Sequence, residues 1–295
     1  MRIVFRIAGH DVVIDNRNEY RLSPLMPSFG PFMTRDTLSS GQQPLMEILL
    51  DDKAEISTDG YRDLGHYDSV DIVHGVYLND DGRYIFSLNE VQGVPGAYLT
   101  ADRSFAHCII SLKRQSSRAF DLRIAIMLAY AMATADKDTF LIHSSVVLNR
   151  GRAYMFLGKS GTGKSTHTRL WRESVPCSSL LNDDNPVVRI EHGRPVVYGT
   201  PWSGKTPCYR QHSAPVAAIV LLRQAPYNQM RMPQSVAERM SIVYPSVTNM
   251  RWDKRVNNGV ISAIGKLMTT TNIGLMDCLP DSDAARISYE TLSRL

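Results

Sequence analysis

The chain has 295 residues, 43% of them apolar and 21% charged, with a formal charge of +4. That length suits two domains, and that composition belongs to an ordinary folded protein rather than a disordered or fibrous one. The basic residues form no long run, which argues against a nucleic-acid surface. Cys108, Cys177, Cys208 and Cys278 are scattered without a C-x-x-C pair, so they read as free thiols in a reducing compartment rather than zinc ligands. Met1-Arg2-Ile3-Val4-Phe5-Arg6 is too short and too charged for a signal segment. The most apolar stretch, residues 124–132, is about half a membrane span. The expectation is a cytoplasmic protein with no membrane anchor.

In chain order, residues 1–115 read as a smaller β-rich domain of unassigned role. Val12-Val13-Ile14, Ile48-Leu49-Leu50, Val70-Asp71-Ile72-Val73 and Tyr84-Ile85-Phe86 are β-prone runs, and Asn79-Asp80-Asp81-Gly82 is a hairpin turn. Residues 23–44, with four prolines and two glycines, predict an irregular loop. His66, His74 and His107 carry no evident chemistry. Residues 116–295 read as a second domain. A helix is predicted over 118–135 and a strand over 140–148. Asn149-Arg150-Gly151 then turns the chain into a strand over 153–157. A connection that short cannot make a parallel crossover, so the two strands should pair antiparallel. Further on come a hairpin of 187–190 with 195–198 around Glu191-His192-Gly193, a strand over 217–222, helices over 235–242 and 258–268, and a strand over 273–278. A closing helix over 282–294 takes Ser282 as its N-cap. The fold class is α/β leaning to α+β: a mixed sheet rich in antiparallel pairs, flanked by helices.

Gly158-Lys159-Ser160-Gly161-Thr162-Gly163-Lys164-Ser165 fits the phosphate-binding pattern G-x-x-x-x-G-K-[ST]. A buried-type strand precedes it and a helix follows from Thr166, which is the setting the pattern requires. Glycines let successive backbone N–H groups turn toward a phosphate chain, and the helix N-terminus adds partial positive charge. Residues 158–166 are therefore the candidate nucleotide loop, with Lys164 on the β- and γ-phosphates and Ser165 on Mg²⁺. Leu180-Leu181-Asn182-Asp183-Asp184 is the second signal: an apolar strand end delivers two carboxylates. Phosphoryl transfer needs one carboxylate near the metal and a group to take the acceptor's proton. Adjacent residues on a strand point in opposite directions, so one pair can serve both roles.

His143-Ser144-Ser145, the hairpin, the loop 158–165 and Asn182-Asp183-Asp184 together resemble the core of the HPr serine kinase/phosphorylases, whose fold is that of phosphoenolpyruvate carboxykinase. The resemblance covers roughly residues 118–295; residues 1–115 do not resemble the amino-terminal domain of those enzymes. It implies a phosphate-site role for His143, a metal role for Ser165 and Asp184, and Asp183 as base toward a serine hydroxyl. Gly199-Thr200-Pro201-Trp202-Ser203-Gly204-Lys205-Thr206 repeats the loop pattern, but Pro201 lacks an N–H, Trp202 is bulky and no amphipathic helix follows. It reads as a segment beside the site, with Lys205, and less directly Arg210, as charge partners of the γ-phosphate or acceptor. The expected function is an ATP- and Mg²⁺-dependent serine kinase acting on a protein, peptide or small hydroxyl acceptor. The alternatives are a non-catalytic ATP/GTP-binding module and a simple NTPase. No nucleic-acid partner is expected, and a homo-oligomer is compatible with this reading.

Overall fold

The computed structural model describes residues 1–34, 43–69, 72–204 and 206–294. Contacts divide the chain into two compact units, Met1–Ala133 and Thr134–Leu295. The boundary expected at 115/116 assigned the helix over 118–135 to the second unit, whereas its contacts group nearly all of it with the first.

Among its described residues the first unit holds an eight-stranded sheet and one α-helix. Its strands are β1 (Arg2–Ile7), β2 (His10–Asn16), β3 (Met46–Leu50), β4 (Arg62–Ser69), β5 (Ile72–Leu78), β6 (Tyr84–Leu88), β7 (Ala97–Ala101) and β8 (His107–Leu112), in the order β1-β2-β3-β8-β7-β6-β5-β4. The turn at Asn79 forms as expected: Gly82 N donates to Asn79 O at 3.1 Å, and Arg83 N to Asn79 Oδ1 at 2.8 Å. Helix α1 (Arg118–Thr134) closes the unit, and Tyr130 is fully buried on it with its hydroxyl donating to Ile7 O. Within the expected loop over 23–44, Pro27–Phe32 forms a 3-10 helix that buries Phe29 and Phe32. Residues 35–42 of that loop, and Val70 and Asp71 of the expected β-run, lie outside the described residues.

The second unit holds β9 (Thr139–Leu141), β10 (Ser144–Asn149), β11 (Arg152–Leu157), α2 (Lys164–Ser174), β12 (Ser178–Asp184), β13 (Val187–Glu191), β14 (Arg194–Tyr198), β15 (Ser213–Gln224), β16 (Gln229–Arg231), α3 (Val236–Val243), α4 (Lys254–Thr270), β17 (Asn272–Cys278) and α5 (Ser282–Ser293). Their sheet is mixed. β10 pairs antiparallel with both β11 and β12, while β11, β15 and β17 run parallel to one another. The turn between β10 and β11 is tighter than expected. Asn149 pairs with Arg152, leaving only Arg150 and Gly151 to turn, at φ 49° and 77°. Two positive φ values in a two-residue loop match the twist of the flanking strands.

The strand expected over 140–148 is two strands. Phe140 and Leu141 pair with β13, and pairing with β11 begins only at Ser144. Between them, Ile142 N donates to Pro186 O and His143 N to Ser246 O at 2.7 Å. The backbone groups freed by the break are thus satisfied by other segments, as buried amides require. Strand β15 is shared: Ser213–Pro215 pair with β14, and the residues beyond pair with β11 and β17.

Helices α2 and α5 pack over β10, β11 and β15 around a core that includes Tyr154, Phe156, Leu170, Trp171 and Val220. Trp171 is fully buried, 5.0 Å from the Tyr154 ring and 5.4 Å from Phe156. Its indole N–H donates to Ser288 Oγ of α5 at 2.8 Å. The N-cap of α5 is Asp281, which accepts from Ala284 N, rather than the expected Ser282. Both are capping types; the carboxylate one residue earlier is the side chain placed to reach the amide of the helix's third residue. No helix among the described residues is long and apolar enough to cross a membrane.

Candidate phosphate-loop site

One edge of the second unit's sheet gathers most of the predicted site residues. Ser144 stands opposite Leu157, the last residue of β11, and also opposite Asp184, the last residue of β12. Leu157 in turn aligns with Leu221 of β15, and Leu221 with Leu275 of β17. The carboxyl ends of β11, β12, β15 and β17 therefore emerge together, beside the amino end of β10. Such an edge is where open α/β sheets hold ligands.

The loop from Gly158 to Gly163 leaves β11 there and enters α2 at Lys164. Gly158 has φ 154°, and a Cβ on it would meet Thr162 Cβ at 3.0 Å. Gly163, the residue before the helix, has φ 110°. A side chain at either position would strain the loop. No side chain caps the start of α2, so the amides of its first turn keep their capacity to meet an anion. Lys164 Nζ folds back onto the loop, donating to Gly158 O at 2.9 Å and Lys159 O at 3.4 Å. Burial lowers the pKa of that amine, partly offset by Asp184 and Asp183.

The two carboxylates have different surroundings, as strand alternation requires. Asp183 is 6% exposed. Its Oδ1 accepts from Ser145 Oγ at 2.6 Å, and Ser145 Oγ lies 2.9 Å from Thr168 Oγ1 of α2. Thr168 Oγ1 is also within 3.1 Å of Ser165 O, which ties this chain of hydroxyls to the first turn of α2. Asp183 Oδ2 is buried with no hydrogen-bond partner. Asp184 is about one-third exposed and lies 3.8 Å from His143 Nε2. Burial raises its pKa, against the lowering effect of His143, its hydrogen bond with Asn185 and Lys164. Burial and then Lys164 lower the pKa of His143, which favours its neutral form.

The second glycine-lysine-threonine segment lies against this acidic strand and is followed by no helix. Ser203 bridges to Asp184, and Gly204 N donates to Asp183 O at 3.2 Å. A Cβ on Gly204 would sit 2.6 Å from that oxygen, so the glycine is a close-approach residue. Thr200 is fully buried and accepts from Asn182 Nδ2 at 3.0 Å. Lys205 lies outside the described residues. Arg210 is exposed.

Ser145, Thr200 and Gly204 stand in the segments singled out from the sequence but carried no assigned task there, and Thr168 was missed. Thr168 carried a usable signal, since it falls three residues after Ser165 and thus on the same helix face. A cavity of about 490 Å³ also went unread. It opens beside Gly161, Thr162 and Gly163 and is walled by α2 and the segments leaving β15 and β17. Among the described residues no cluster of three or more His, Cys, Asp or Glu could by itself hold a metal ion.

No protein-family model matches the chain, and no curated protein matches it. Among solved structures it is similar to the HPr(Ser) kinase/phosphatase from Coxiella burnetii, at 12% identity and a TM-score of 0.30, over 52% of this chain and 93% of that one. At that identity and score the likeness bears no weight on function.

Proposed function

We propose that the second unit binds a nucleoside triphosphate, ATP, across the loop 158–166 and transfers its terminal phosphoryl group to a hydroxyl, that of a serine in a protein or peptide. The observation that carries this reading is the meeting, at one sheet edge, of an uncapped helix N-terminus with Lys164 and two carboxylates in unlike surroundings. A binding module needs the loop and the lysine. A second carboxylate with a raised pKa is what a proton acceptor adds.

The residues present suit Mg²⁺. That ion takes one or two carboxylates together with phosphate and water rather than a dedicated protein cage, so the absence of a three-ligand cluster among the described residues is no obstacle. The buried, unpartnered Asp183 Oδ2 fits a cation. The hydroxyl chain to Ser165 turns Asp183 toward the face of α2 that carries the expected metal-binding hydroxyl. We therefore assign Ser165 and Asp183 to the metal side and Asp184 to the acceptor, the reverse of the order that the resemblance implied. Bound there, Mg²⁺ would neutralise charge on the transferring phosphates.

The chain's own residues do the rest. The amides at the start of α2 and the Lys164 ammonium hold and orient the phosphates. Lys164 exchanges its carbonyl partners on the loop for phosphate oxygens, which are stronger, charge-assisted acceptors. Asp184, about one-third exposed and raised in pKa by burial, takes the proton of the attacking hydroxyl. Neutral His143 beside it orients that carboxylate. The test is incubation of the protein with ATP labelled at the γ-phosphate, Mg²⁺ and candidate serine-containing peptides. Label in a peptide is the expected result. ATP bound but never consumed would favour a binding module, and release of phosphate alone would favour a hydrolase.

A further inference from the structure

The cavity of about 490 Å³ beside the loop takes no part in the chemistry above. Its size is within the range of roughly 300–1,000 Å³ usual for small-molecule sites. We propose that it seats the purine base of the nucleotide, so that the ligand lies across α2's amino end with its base on one side and its terminal phosphate on the other. This rests on the reading that the loop holds the triphosphate.

Two placements support it. The first is helical. Thr166, His167 and Leu170 line the cavity, while Thr168 joins the hydroxyl chain to Asp183. At about 100° per residue, Thr166 and Thr168 stand about 200° apart around the helix. The cavity and the carboxylates are thus on opposite sides of α2. The second is in the sheet. The carboxylates end β12, two strands to one side of β11, whereas the cavity lies where β15 and β17 end, on the other side. Gly161, Thr162 and Gly163 belong to both the loop and the cavity wall, so the two are continuous.

The lining suits a flat heteroaromatic ring. Leu170, Leu222, Leu279 and Pro280 offer apolar faces. Gln224 contributes a polar edge: its Nε2 is 3.3 Å from Gly161 O, which leaves Oε1 to accept from an exocyclic amine. Apolar walls with a few placed polar groups are the usual composition of a cofactor site. Cys278 also lines the cavity, and its thiol gives the site a chemical handle.

The experiment compares Mg²⁺ complexes of ATP and inorganic tripolyphosphate by calorimetry, on the full chain and on Ala225→Trp and Leu279→Trp, which fill the cavity from its rim. Tripolyphosphate reports on the loop alone, and the excess affinity of ATP reports on the base. Both variants should lose that excess by at least about ten-fold while binding tripolyphosphate as the parent does. On the unaltered protein, ATP and not tripolyphosphate should slow alkylation of Cys278 by N-ethylmaleimide, with exposed Cys177 as the unprotected control. This arm stands even if a tryptophan variant fails to fold. Unchanged ATP affinity in the variants, or a Cys278 that ATP does not shield, overturns the base site and leaves the loop intact. Failure of the unaltered protein to bind either compound overturns the loop and this inference together.

Discussion

Ser288 carries more of the second unit's stability than its size suggests. Its Oγ accepts from Trp171 Nε1 at 2.8 Å, lies 3.1 Å from His167 Nε2 and donates to Ala285 O at 3.0 Å. Ser288 and Trp171 are fully buried, and His167 is 3% exposed. Ser288→Ala removes little volume but takes a hydrogen-bond partner from the buried indole N–H and from the buried imidazole nitrogen. Each such loss costs about 1–3 kcal/mol. Partial relaxation leaves an expected loss of about 2–4 kcal/mol. All three tryptophans, Trp171, Trp202 and Trp252, lie in the second unit, so urea unfolding followed by tryptophan fluorescence reads that unit alone. Ser293→Ala, on the exposed end of α5, is the control and should stay within about 0.5 kcal/mol of the parent. The unfolding slope should not change, because the surface exposed is the same. If Ser288→Ala also falls within about 0.5 kcal/mol, the hydroxyl is not the pin between α2 and α5 described above.

Lys164→Ala should weaken ATP·Mg²⁺ binding by roughly ten-fold or more, the value of a charge-assisted contact, with the urea midpoint unchanged; equal affinity in calorimetry would remove the loop from the site. Asp184→Asn should keep ATP·Mg²⁺ affinity and slow transfer by about 10²–10⁴-fold, while Asp183→Asn should raise the Mg²⁺ needed for nucleotide binding. The opposite pattern in magnesium titrations would restore the order implied by the resemblance. In the first unit, burial depresses the pKa of His74 below 6.5, against a smaller opposing effect of Glu90. The folded state therefore resists a proton that the unfolded chain accepts. The stability His74 contributes is present above about pH 6.5 and declines as pH falls toward its folded pKa. His74→Gln should flatten that decline when first-unit amides are followed by hydrogen exchange; an identical acid limb in both proteins would contradict it.

What could be read from the sequence was local. The loop and the turns of the β10–β11 and β13–β14 hairpins are each written in contiguous residues, and each lies within a residue or two of expectation. What was missed depends on distant partners. Nothing between Phe140 and Leu148 announces a break, because the groups that satisfy Ile142 and His143 come from Pro186 and Ser246. β4, with the sequence RDLGHYDS, has no apolar alternation to reveal it and exists because β5 pairs along it. In the site, Asp183 and Asp184 were found by their chemistry, but which one faces α2 depends on the register of β12 against β10. The cavity is assembled from the loop, α2 and the ends of β15 and β17, so no single window of sequence could show it.

The shared strand β15 bears on how the second unit comes apart. Val196 pairs with Pro215 where the β14 ladder ends, and Ala153 pairs with Val216 where the β11 ladder begins. Proline has no amide hydrogen to give a ladder, so it sits at the handover. The sheet is therefore stitched by one continuous backbone, not by two halves meeting at a seam. Opening the β9–β13–β14 part strips the amino end of the strand whose carboxyl end walls the cavity. Such a unit has no natural dividing line for partial unfolding. Its central amides should open together, as one cooperative block, and a nucleotide bound at one edge would raise protection as far away as β14.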